Sequence, residues 1–97
     1  MNRERIIETV KSRILPILRK HHVKKASFFG SITREELKKE SDIDILVELS
    51  DDISLFDSIG LKNELEDTVE KKVDLVEYDT LKAPLKERIL AEQVPIL

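Results

Sequence analysis

The segment FFGSITREELKKESDIDILVEL, residues 28–49, decides how this chain is read. Two aromatics run into a Gly30-Ser31 pair, a charged stretch follows, and Asp42-Ile43-Asp44 opens an apolar run. Side chains alternate across a strand, so Asp42 and Asp44 share one face while Ile43 and Ile45 take the other. Same-face neighbours stand about 6.6–7 Å apart at the backbone, where two carboxylates repel. A cation between them relieves that cost, and oxygen ligands of this kind suit Mg²⁺ or Mn²⁺. The competing reading is bland: Asp42 as a strand's polar first residue and Asp44 as a solvent-facing position. An EF-hand is excluded, because Leu46 stands where that loop needs another oxygen ligand and no glycine follows.

Gly30-Ser31 shifts the balance. Glycine lets backbone come close to a ligand. The stretch SITREELKK reads as a brief helix, with Ser31 or Thr33 as cap and Thr33 with Glu36 as a capping box. Its free N–H groups and positive dipole end suit a phosphate. Asp74 in KKVDLVEY is a third acid among apolar residues. Glu77 alternates to the opposite face of that strand and Asp79 lies past its end. Three such carboxylates could hold two metals that activate a hydroxyl and neutralise a leaving pyrophosphate. Strand order is not written in the sequence, so Asp74 reaching the other two is an expectation.

Outward from this segment, the apolar periodicity of NRERIIETVKSRILPILRKHH predicts a helix with one buried face, kinked or broken near Pro16. VKKASFF and DIDILVEL read as strands, and SDD at 50–52 as a turn. SLFDSIGLKNELEDTVEKK predicts a helix with Leu55, Phe56, Ile59, Leu65 and Val69 inward. VDLVEY is a third strand. TLKAPLKERILAEQ is a last helix with Leu81, Leu85, Ile89 and Leu90 inward and Pro84 in its first turn. The order αβαβαβα points to an α/β (α+β two-layer) fold in a single domain, residues 1–97. The apolar tail VPIL has no place in that layout. His21-His22 with Lys24 and Lys25 reads as a solvated helix end, EELKKE as a solvent face, and Tyr78 as a packing residue.

Composition narrows the chemistry. Of 97 residues, 40% are hydrophobic and 38% charged, enough for one modest core. Seventeen Lys and Arg against twenty Asp and Glu leave a net charge of -3, which argues against a general nucleic-acid binder. The chain has no Cys, hence no disulfide, thiolate nucleophile or Cys-ligated zinc. Two adjacent histidines make no His-x-x-x-His pair, and two glycines make neither G-x-G-x-x-G nor a Walker A loop. No apolar run reaches the ~18 residues of a membrane span, and the start lacks a signal-peptide core, so a cytoplasmic protein is expected. Chemistry, if present, rests on carboxylates.

Gly30-Ser31, ten residues, then Asp42-Ile43-Asp44 resembles the GS-x10-D-x-D signature of the DNA polymerase β-like nucleotidyltransferase superfamily. Total length, the acid in KKVDLVEY and the ending LKERILAE resemble its minimal branch, the MNT-domain antitoxins that partner HEPN-domain toxins. The resemblance spans nearly the whole chain. It implies a minimal nucleotidyltransferase core, a small mixed β-sheet packed with helices. It also implies that Asp42, Asp44 and Asp74 bind Mg²⁺ and act in catalysis, while Gly30 and Ser31 hold the phosphates of ATP. Arg34 matches the arginine of the family's GSxARGE pattern and would contact phosphate. Thr33 and Glu35 depart from that pattern, and Glu35 puts a negative group near the phosphates. The implied activity is transfer of AMP from ATP to a tyrosine of a HEPN ribonuclease toxin, within a hetero-oligomer and without direct nucleic-acid contact. Two alternatives stand beside it: an antitoxin that neutralises by binding alone, and a nucleotidyltransferase acting on a small molecule or RNA.

Overall fold

The computed structural model describes residues 3–34, 38 and 40–97. Helix α1 (Arg3–Lys20) leads into strand β1 (Lys25–Phe29), and a 3-10 turn, Gly30–Arg34, precedes β2 (Ile43–Glu48). Helix α2 (Leu55–Val69), β3 (Val73–Glu77), a second 3-10 turn (Tyr78–Thr80), α3 (Leu85–Glu92) and a two-residue strand, β4 (Val94–Pro95), complete the chain. The sheet order is β3-β2-β1-β4. Strand β1 runs antiparallel to β2 and β4, whereas β2 and β3, joined through α2, run parallel. The mixed sheet with helices packed on it is the expected two-layer fold.

Alternation along the strands makes the two faces unlike. Ile43, Ile45 and Val47 join Ala26, Phe28 and Val73 in one core with Ile7, Ile14, Ile17 and Leu18 of α1 and Leu61 and Leu65 of α2. Asp44, Leu46 and Glu48 point the other way. Leu46 is nonetheless fully buried, beside Ser27, its partner on β1. The Tyr78 hydroxyl bridges Ser27 Oγ and Gln93 Oε1, 3.0 Å from each, so the second 3-10 turn covers this part of the second face. Tyr78 therefore packs, as expected.

Several local expectations are corrected. Helix α1 runs unbroken through Pro16. That proline is exposed, so water can satisfy the carbonyl one turn back that lost its N–H partner. Helix α2 is capped by Ser54, whose Oγ accepts from Asp57 N at 3.2 Å while Asp57 Oδ2 accepts from Ser54 N at 3.1 Å. Its buried residues are Leu61 and Leu65, and Val69 packs against the core as expected. Leu55 (75% exposed), Phe56 (85%) and Ile59 (48%) are exposed, Leu55 and Ile59 bordering an open groove with Val47 and Leu75 of the sheet. Leu85 also faces out, and α3 begins at Leu85 with Pro84 as its cap. The VPIL tail does have a place: Ile96 N donates to Ala26 O at 2.8 Å and Ile96 is buried, so the tail closes the free edge of β1. His22 ends its helix exposed with φ 58°, while His21 Nε2 lies 3.0 Å from Glu64 Oε1 on α2.

Candidate active site

Parallel pairing of β2 with β3 sets Asp44 directly opposite Asp74. Paired residues of neighbouring strands share a face about 4.8 Å apart, and Asp42, just before β2 begins, is near enough for its charge to act on the Asp44 carboxyl. The juxtaposition that the sequence left open is thus made by sheet register. Asp42 and Asp74 are exposed and Asp44 is half-buried. Glu77 sits opposite Val47 on the other face, and Asp79 falls in the second 3-10 turn, so neither joins the cluster.

On its other side Asp44 pairs with Phe29 of β1, immediately before Gly30. Gly30 has φ +75°, a left-handed conformation that side chains resist. A Cβ placed there would run into the Asp44 carboxylate, 3.0 Å from Cγ and 3.3 Å from Cβ. Glycine is therefore needed twice, for the turn and for the approach to the acid. Thr33 does not cap a helix: its buried Oγ1 donates to Gly30 O at 2.7 Å and staples the 3-10 turn shut. Glu35 and Glu36, the residues of the GSITREE departure and of the expected capping box, lie outside the described residues.

Charge accumulates here. The Asp44 carboxyl is pushed up from 3.8 to about 6, first by burial and then by the facing charges of Asp74 and Asp42; the Arg34 guanidinium opposes this and Glu92 adds to it. A site that holds like charges together at a cost fits a divalent cation, and three carboxylates supply the hard oxygen donors such an ion prefers. Among the described residues no three acidic side chains already converge closely enough to ligate one ion. Binding would have to draw the Asp42, Asp44 and Asp74 side chains together.

One residue of this cluster was missed in the sequence. Glu92, at the end of α3, accepts from Gly30 N at 3.1 Å, and its Oε1 and Oε2 accept from Arg34 Nη1 at 3.2 and 3.0 Å. It lies 62 residues from Gly30 and 58 from Arg34, so no local pattern could reveal it. A groove of about 370 Å³ opens elsewhere, on the helix-bearing face among Val47, Leu49, Ile53, Leu55, Ile59 and Leu75, and contains none of these acids.

Comparison with known proteins bears on this geometry. The family model of the polymerase β nucleotidyltransferase domain matches residues 12–97. A Methanocaldococcus jannaschii chain provisionally named protein adenylyltransferase MJ0435 is 50% identical over 91 residues, covering 94% of this chain and 98% of the relative. A solved structure provisionally described as a minimal nucleotidyltransferase superposes with TM-score 0.81 at 30% identity, over 98% of this chain and 96% of that one. An MNT antitoxin in complex with a tri-AMPylated Shewanella oneidensis HEPN toxin shares the fold, with TM-score 0.70 at 21% identity over 93% and 71% of the two chains. The resemblance read from Gly30-Ser31 and Asp42-Ile43-Asp44 is borne out: the chain belongs to the polymerase β nucleotidyltransferase family.

Proposed function

We propose that this chain, acting as one domain, is a protein adenylyltransferase that transfers AMP from ATP to a tyrosine of a HEPN-domain toxin and so serves as its antitoxin. The observation that carries the reading is the register of Asp44 against Asp74 beside the glycine turn. Support also comes from the adenylyltransferase name of the half-identical relative and from the AMPylated HEPN toxin bound by the fold's solved neighbour. Asp42, Asp44 and Asp74 would hold Mg²⁺, which when bound neutralises phosphate charge and sharpens the nucleophile. Gly30 N–H and Ser31 at the turn, with the Arg34 guanidinium, would take the phosphates. In the transfer, the tyrosine oxygen bonds to the α-phosphorus as the bond to the bridging oxygen breaks. Diphosphate leaves, and the phenolic proton passes to a carboxylate of the cluster.

Among the described residues no helix is long and apolar enough to cross a membrane. We place the reaction in the cytoplasm, where ATP and a ribonuclease toxin would meet. The binding-only alternative draws on a specific feature, the exposed Leu55, Phe56 and Ile59 on α2. The VPIL tail adds nothing to such a surface, because it is bonded to β1 within the fold.

The test is label transfer from α-labelled ATP with Mg²⁺ to the HEPN protein encoded beside this chain, compared with Asp42→Ala/Asp44→Ala. Labelled tyrosine on the partner, reduced at least a hundredfold in the double variant, is the expected result. No label on a folded partner refutes the enzyme. Full neutralisation by the double variant selects binding alone.

A further inference from the structure

The contacts of Glu92 duplicate those a phosphate would make. Its carboxylate oxygen Oε1 takes the Gly30 backbone N–H, and both oxygens take the Arg34 guanidinium. A carboxylate and a phosphate oxygen are interchangeable acceptors for such donors, and both gain from the charge-assisted bond. We infer that Glu92 is a built-in occupant of the phosphate cradle, a tethered anion that nucleotide must displace from Gly30 and Arg34 before it can bind. The inference rests on the reading of Gly30 and Arg34 as the phosphate site.

The surrounding structure makes this an exchange of side chains rather than an unfolding of α3. Gln93, the next residue, is held by Tyr78, and Val94 is paired with Phe28. The backbone that follows Glu92 is pinned to the sheet, so the carboxylate alone needs to swing away. Two further features favour displacement over coexistence. Glu92 is among the negative charges that face Asp44, so leaving it in place beside a triphosphate would set like charges together. The side chain also retains a 24% exposed surface, which gives it water to move into. With ATP absent, the same carboxylate keeps the glycine N–H and the guanidinium satisfied in the geometry a phosphate needs. A ligand that competes with an internal occupant binds more weakly by the fraction of open sites. Glu92 therefore sets the ATP concentration at which the site loads.

The experiment is calorimetric titration of Mg·ATP, and separately of inorganic tripolyphosphate without metal, into wild type, Glu92→Gln and Glu92→Asp. Aspartate keeps the charge but shortens the reach by one methylene. Both variants are expected to bind both ligands about tenfold more tightly than wild type. In the wild type the Gly30 amide proton resonance should move when tripolyphosphate replaces the carboxylate, a readout indifferent to how well the variants fold. Tightening in Glu92→Gln but not Glu92→Asp assigns the effect to charge at a distance and overturns the plug. Unaltered or weaker binding in both variants makes Glu92 a brace for the turn and overturns it equally. Tighter tripolyphosphate with no Mg·ATP binding in any form keeps the plug and removes the adenylyl-transfer reading. If neither ligand binds any form and the Gly30 resonance stays still, both are refuted.

Discussion

Replacing Asp44 by asparagine should make the protein more stable and abolish its chemistry, and the pH at which the gain appears identifies the cause. The folded carboxyl has its pKa raised from 3.8 to about 6 by burial and by Asp74 and Asp42. An acid with its folded value above its unfolded one favours folding while protonated. Its contribution is complete below about pH 3.8 and is lost as pH climbs through about 6. The rise from 3.8 to about 6 corresponds to roughly 3 kcal/mol as an upper bound. Asp44 is only half-buried, so water screens the interaction and about 1–1.5 kcal/mol remains. For a chain of this size that gain raises Tm by about 5–10 °C. Thermal melts of wild type and Asp44→Asn, in chelator, from about pH 4 to pH 8 measure it. The expected curve shows no difference near pH 4, a gain growing between pH 4 and 6, and a plateau above. Added Mg²⁺ should close the gap by stabilising the wild type alone. A gain of equal size at pH 4, or none at neutral pH, refutes the picture of acids held together against their charge.

Gly30→Ala should cost about 2–4 kcal/mol, combining a left-handed residue with displacement of the Asp44 carboxylate. Denaturant unfolding of Gly30→Ala, Asp44→Ala and the double variant should show the cost of Gly30→Ala shrinking in the Asp44→Ala background, because removing the carboxylate makes room for the new methyl. Burial also separates residues that look alike in sequence. Ile96→Ala, at 5% exposure, should lose about 2–4 kcal/mol, whereas Phe56→Ser, at 85%, should change stability by less than about 0.5 kcal/mol. A large loss for Phe56→Ser in the isolated chain would mean that α2 packs differently.

The candidate site can be read from the sequence more fully than the packing around it. Period-two alternation sets Asp44 on the face opposite Ile43 and Ile45 whatever that face meets, and Gly30-Ser31 marks a turn where backbone can come close to a ligand. Those are properties of a few adjacent residues, so they survive any arrangement of the rest. Helix burial is different. Leu55, Phe56 and Ile59 fall on the apolar period of α2, yet stay exposed, Leu55 and Ile59 bordering an open groove against Val47 and Leu75 instead of closing it. Pro16 reads as a breaker, yet lies on a face where water can take the orphaned carbonyl. The tail Val94–Leu97 is too short to declare itself a strand until β1 offers it a free edge. Two juxtapositions were decided only by tertiary structure. The parallel β2–β3 register brings Asp74 opposite Asp44, and α3 carries Glu92 back across 62 residues onto Gly30. Both join residues far apart in the chain, and only the closed sheet determines which distant residues meet.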